Sequence, residues 1–198
     1  MIQSLGSFTA TAKYSHSYTA FDVHADGERT PVARMYKDSA YDSPDRYSVY
    51  GGPRLDKLEG FVNPFKAMLP GHSEIGTVNR RSRSLHHDEW KFTQKDLPEL
   101  RGAPTGLNSA LRHSFPLNVV SGNRFADAAF SLRLRFHAPE SEGFELIRLA
   151  GARARYGVKV YDDRVNRLLV LSCVAHLNTY VATDPRQVIV DLTFNPFN

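Results

Sequence analysis

At 198 residues with 41% hydrophobic content, the chain has enough apolar material for one packed domain and too much for a disordered one. Its single cysteine, Cys173, excludes an internal disulfide and a thiolate-rich zinc site. A formal net charge of +4 permits a polyanionic partner without requiring one, and residues 1–99 balance 13 Lys/Arg with 13 Asp/Glu while residues 100–198 carry 12 against 8.

Met1 to Ala20 lacks the basic start and apolar run of a secretory signal, and no segment approaches about 18 apolar residues. The expectation is one cytoplasmic domain over 1–198, with a core near 15–182 and an extra strand and tail at 183–198. Tyr18 to Val23 alternates as a strand does, Asp26-Gly27 supplies a hairpin-type turn, and Val32 to Tyr36 returns. Arg46 to Tyr50 is a further strand, closed by Gly51-Gly52-Pro53, and Leu55 to Val62 is its partner. Glu74 to Val78 and Glu89 to Thr93 read as strands flanking a polar, basic loop at Asn79 to Asp88. Leu97 to Arg101 adds a short one. The clearest alternation runs from Ser131 to His137. Leu132, Leu134 and Phe136 face one way; Arg133, Arg135 and His137 face the other. Phe144 to Leu149 pairs with it across the turn Pro139 to Gly143.

Tyr156 to Tyr180 is the most informative stretch. Val158, Val160 and Tyr161 suit a strand, and Asp162 or Asp163 can cap a following helix. From Leu168 to Leu177 only Ser172 and His176 are polar, so that helix has no hydrophilic face and must be surrounded by protein or lipid. Ten residues reach about 15 Å, half a bilayer core, so the wrapping must come from the chain's own strands. Val188 to Leu192 reads as a last strand. Many short strands and one apolar helix predict an all-β fold: a closed or nearly closed antiparallel barrel around a buried helix near the C-terminus.

Asp45-Arg46-Tyr47-Ser48-Val49-Tyr50, Ile75-Gly76-Thr77-Val78, Trp90-Lys91-Phe92 and Val158 through Leu177 carry a family resemblance. Their order resembles the Tubby C-terminal-like superfamily, which includes the phospholipid scramblases and the LURP-one-related proteins. The resemblance covers about residues 15–182 and implies a barrel of about twelve strands around a hydrophobic helix. It also implies action at membranes. The cysteine-rich and proline-rich segments of animal scramblases are absent here, and the plant-tubby phosphoinositide motif has no residue-by-residue counterpart. Neither scrambling nor specific phosphoinositide binding is carried over.

The densest basic cluster is Arg80-Arg81-Ser82-Arg83-Ser84-Leu85-His86-His87. Guanidinium forks suit lipid phosphates, which makes Arg80, Arg81 and Arg83, supported by Lys91, the candidate anion-binding residues. Trp90 either dips into headgroups or belongs to the barrel wall. Arg133 and Arg135 form a second basic stripe, which His137, Arg153 and Arg155 extend. No exposed aromatics alternate with these arginines, which disfavours nucleic acid. Adjacent His86 and His87 point opposite ways on a strand, Cys173 and His176 belong to the core, and Asp22, Asp26, Asp38, Asp42 and Asp45 read as turn chemistry rather than a calcium loop. With no Gly-x-Ser-x-Gly elbow, P-loop or dinucleotide fingerprint, the expectation is a non-enzymatic binding or scaffold protein without cofactor or metal. Its partner is an anionic phospholipid surface, or a protein met through the tail Phe194-Asn195-Pro196-Phe197; an enzyme with an unrecognised site is the remaining alternative.

Overall fold

The computed structural model describes residues 2–15, 17–40, 43–83, 87–105, 132–149 and 154–181. Among these residues the chain forms β1 (Ser7–Tyr14), β2 (Thr19–Ala25), β3 (Ala33–Lys37), β4 (Tyr47–Gly51), β5 (Lys57–Val62) and β6 (Lys66–Met68). It continues with β7 (Glu74–Arg83), β8 (His87–Gln94), β9 (Leu100–Pro104), β10 (Leu132–Ala138), β11 (Ser141–Leu149) and β12 (Arg155–Val160). Helix α1 (Arg167–His176) follows, and a π-type turn (Leu177–Val181) extends it.

Every strand pairs antiparallel with its sequence neighbour, and β1 closes the barrel against β12, with Ser7 opposite Lys159 and Thr11 opposite Arg155. The expected closed antiparallel barrel around a single helix near the C-terminus is therefore the fold observed. Among the described residues, closure pairs both edges of every strand within the barrel wall, the outer arms of β7 and β8 excepted. Alternation holds where apolar residues write it clearly: Leu132, Leu134 and Phe136 are buried, whereas Arg133 and His137 are exposed.

All ten residues of α1 are buried. The helix can lie against the wall because two strand positions carry no side chain. A Cβ on Gly76 would stand 2.2 Å from Thr93 O and 2.7 Å from Leu169 Cδ2; one on Gly60 would stand 2.8 Å from Leu168 Cδ1.

The helix begins later than expected. Asn166, not Asp162 or Asp163, is the N-cap, its side chain accepting from Leu168 N at 2.9 Å. Asp162 is engaged in a turn of its own, accepting Arg164 N at 3.0 Å. That turn holds the chain outside the helix for four residues. Arg167, buried at the helix start, donates to Leu5 O at 2.9 Å, Asp163 O at 2.9 Å and Val165 O at 2.6 Å. Gln3 accepts from Arg167 N at 3.0 Å and donates to Val165 O at 3.0 Å, so the first residues plug this end of the barrel.

Three differences from the sequence reading stand out. Strands β1 and β6 were not expected. The stretch Asn79 to Asp88, expected as a loop, is strand on both arms, with β7 running to Arg83 and β8 starting at His87. Asp22 lies in β2, as the alternation from Tyr18 to Val23 predicts, and not in a turn, where the aspartate reading put it; it is paired with Lys13 at 2.5 Å and Arg34 at 2.6 Å. Asp42, His86, Arg153, the strand at Val188 to Leu192 and the tail Phe194 to Asn198 lie outside the described residues.

Candidate functional site

The basic arm is a projecting ribbon. β7 pairs with β8 from Gly76/Gln94 to Arg83/His87, but β6 accompanies β7 only as far as Thr77, and β9 pairs with β8 only from Phe92 back to Trp90. Among the described residues the two arms then run without a flanking strand from Arg80/Trp90 to Arg83/His87, about 10 Å at the usual strand rise. The ribbon leaves the barrel at the end where α1 exits.

Strand alternation divides the predicted cluster. Val78 and Trp90 are buried in the wall. Arg80, in phase with Val78 and opposite Trp90, lies over the indole with Cζ 5.8 Å from the ring centroid. Arg81 points the other way, is exposed, and stands opposite Glu89. Arg83 continues the strand, but its side chain lies outside what the structure describes. Lys91 shares the outer face with Arg81 but sits on the barrel wall rather than the ribbon, paired with Glu99 at 3.0 Å. The structure thus sets Arg81 and Lys91 on one face and Arg80 on the other.

Aromatic side chains that sequence reasoning missed gather at the ribbon's base. Phe65, in the turn before β6, accepts Val78 N through its carbonyl at 2.7 Å. Its ring is 44% exposed and lies 5.7 Å from Tyr180, which is 48% exposed. Both pack on His176: Phe65 at 5.7 Å and Tyr180 at 5.2 Å between ring centroids. Trp90 covers the same imidazole at 4.8 Å, and His176 Nδ1 donates to Pro64 O at 2.8 Å. The imidazole is a buried hydrogen-bonded wedge, as expected for a core histidine. Cys173, also expected in the core, is fully buried, and burial pushes its thiol far above the ordinary range. The signal for the aromatic cluster in the sequence was position: Phe65 lies in the turn between two strands, and Tyr180 follows the apolar run.

In the second stripe, Arg133 has a carboxylate partner and Arg135 a ring face. Arg133 Nε meets Glu145 Oε1 at 3.1 Å. Arg135 stacks on Tyr161 with Cζ 3.8 Å from the ring centroid and donates to Glu142 O at 2.6 Å. Arg155 is exposed on β12.

At the opposite, helix-entry end lies an open cleft of about 830 Å³, lined by Arg135, His137, Ser141, Tyr161, Asp162 and Arg164 among others. Arg164 grips Asp162 through Nε at 3.0 Å and through a second nitrogen at 2.7 Å; Ser141 donates to the same carboxylate at 2.5 Å. Hydrogen bonds from Arg164 foremost, opposed by burial and aided by Ser141, hold the Asp162 carboxyl well below the usual range. These groups latch one another and fix the turn before α1. Among the described residues no three His, Cys, Asp or Glu side chains gather as a metal site, and no helix is long and apolar enough to cross a membrane.

Comparison with protein-family models, with curated proteins and with solved structures gave no match.

Proposed function

We propose that this is a non-enzymatic, Tubby-like binding protein that docks peripherally on anionic phospholipid surfaces at the cytoplasmic face of a membrane. One observation carries the reading: a two-stranded basic ribbon projects from the barrel end at which Phe65 and Tyr180 are exposed. Basic residues near an anionic leaflet gain about 1 kcal/mol each, and amphipathic aromatic rings settle at the headgroup level. Arg81 supplies exposed charge, Arg83 extends the same strand, and Phe65 and Tyr180 supply the apolar foot. Arg80 acts through Trp90, holding the ribbon's inner face against the wall. Lys91 and the Arg133–Arg135 stripe contribute long-range field only, since carboxylates or ring faces engage them.

Flotation with phosphatidylserine-containing and pure phosphatidylcholine vesicles tests the reading. Binding should require the anionic lipid, weaken with salt, and fall with Ala at Arg80, Arg81 and Arg83. Equal binding by the triple variant sinks the mechanism; no vesicle binding by a folded wild-type protein sinks the function, and a mass in solution above that of one chain would then favour assembly through protein contacts.

A further inference from the structure

Gly157 sits in the middle of β12 with none of the reasons for which a strand usually keeps a glycine. Its φ lies outside the left-handed region, and β12 runs past it in unbroken register against both β1 and β11. Each of the other strand glycines, Gly51, Gly60, Gly76, Gly102 and Gly143, would carry a Cβ at 2.9 Å or less from a neighbouring atom. At Gly157 an added Cβ meets nothing within 4 Å. A glycine inside a strand gives up backbone entropy and side-chain packing, and often marks a place where another molecule approaches the backbone. The fold alone does not require this one.

The outer wall around Gly157 forms a notch with charged ends. Ile147 of β11 and Thr9 of β1 stand opposite Gly157, one on each side and both partly exposed, so the notch has one apolar flank. Arg155 and Lys159, both exposed, lie two positions away in either direction on β12, with Cα atoms about 13 Å apart at the usual strand rise. Arg155 has no carboxylate partner among the described residues. Lys159 Nζ lies 5.3 Å from the Tyr161 ring centroid, and Glu145, the carboxylate opposite it, is taken by Arg133 at 3.1 Å and Tyr161 Oη at 3.2 Å. Positive charge is therefore available at both ends. An extended chain laid along β12 presents every second residue on one face at the same spacing. An apolar side chain seated over Gly157 against Ile147 then brings carboxylates at the second position on either side to Arg155 and Lys159. We propose that this wall docks an extended acidic segment of a partner protein, patterned acidic–x–apolar–x–acidic. β6 lies half-way round the barrel from β12, so the site is separate from the membrane-docking reading and survives its failure.

A peptide array tests it, each peptide holding a varied central residue with Asp, Ser or Lys at the second position on either side. The chain should retain peptides with Leu or Ile in the centre and Asp on both sides, and lose them when Lys replaces Asp. In solution the Asp-flanked Leu peptide should bind about tenfold more weakly to Gly157→Thr, and about threefold more weakly to Arg155→Ala or Lys159→Ala. Gly157→Thr should nonetheless melt about 2 °C above wild type, because the strand gains a β-branched residue without a clash. Retention of no Asp-flanked peptide by the wild-type chain, equal affinity for Gly157→Thr, or a lower midpoint for that variant would overturn the proposal. A Gly157→Thr chain that keeps peptide binding but loses flotation with phosphatidylserine vesicles would assign the wall to the membrane instead.

Discussion

Asp22 and Arg34 face each other across β2 and β3, and Arg34 Nε donates to Asp22 Oδ1 at 2.6 Å. Lys13 reaches the second carboxylate oxygen at 2.5 Å from β1, so one carboxylate ties three strands next to the barrel seam. Burial raises its proton affinity, but hydrogen bonds from Arg34 and Lys13 more than offset this, and the carboxyl ends below its ordinary range. A carboxyl depressed on folding adds stability above its unfolded value, near pH 4, and loses it as pH falls through the folded value. Asp162 acts in the same direction. Asp22→Asn should cost about 2 kcal/mol at neutral pH and lose less on acidification. Urea titrations at pH 7 and below pH 4 check this; parallel losses in both proteins would refute it.

Gly76 lets the helix touch the wall. Gly76→Ala places a methyl 2.2 Å from the Thr93 backbone carbonyl, which can yield only if the strand shifts, and 2.7 Å from the end of the buried Leu169 side chain. The expected loss is about 2–3 kcal/mol, and Leu169→Ala in the same chain should recover part of it. Strict additivity of the two losses would show that the strand and helix do not meet here.

Asn166→Ala removes the cap on Leu168 N and should cost about 1 kcal/mol. Asp163→Ala should cost less, because that side chain is fully exposed in its pair with Arg167. Chemical denaturation of both variants separates the two assignments. A larger loss at Asp163 would reinstate the aspartate as the cap.

Arg80 and Arg81 should part company in paired measurements. Arg81→Ala should weaken anionic-vesicle binding about fivefold with an unchanged melting temperature. Arg80→Ala should instead disturb Trp90 and show in its fluorescence. Identical behaviour of the two variants would contradict the facing observed on β7.

Much of this architecture could be read from residue order, and the exceptions have physical causes. The helix announced itself because ten consecutive positions needed burial, and β10 because Leu, Leu and Phe alternate with Arg and His. β1 escaped notice because two of its inward residues are only Ala10 and Ala12, whose small side chains give little contrast with Thr9 and Thr11. β6 has three residues, too few for any period. The basic arm looked like a loop because no apolar rhythm continues after Val78, and among the described residues it has no flanking strand to bury against. Counting in twos from Val78 would have placed Arg80 over Trp90. The inward phase of Arg148 was equally countable from Phe144 and Leu146, but a cation there contradicts the expectation that an inner wall is apolar. Phe65 and Tyr180 meet only in three dimensions, through His176.

Joining the first strand to the last has a cost during synthesis. The seam between β1 and β12 cannot form until residue 160 has left the ribosome, and the rod that fills the interior emerges later still. Until then the ten antiparallel pairs from β1 to β11 must wait around an empty lumen, with few rewards that do not depend on distant partners. Nascent chains stalled before Arg167 should therefore be readily digested by protease, and resistance should arrive abruptly once the helix is released.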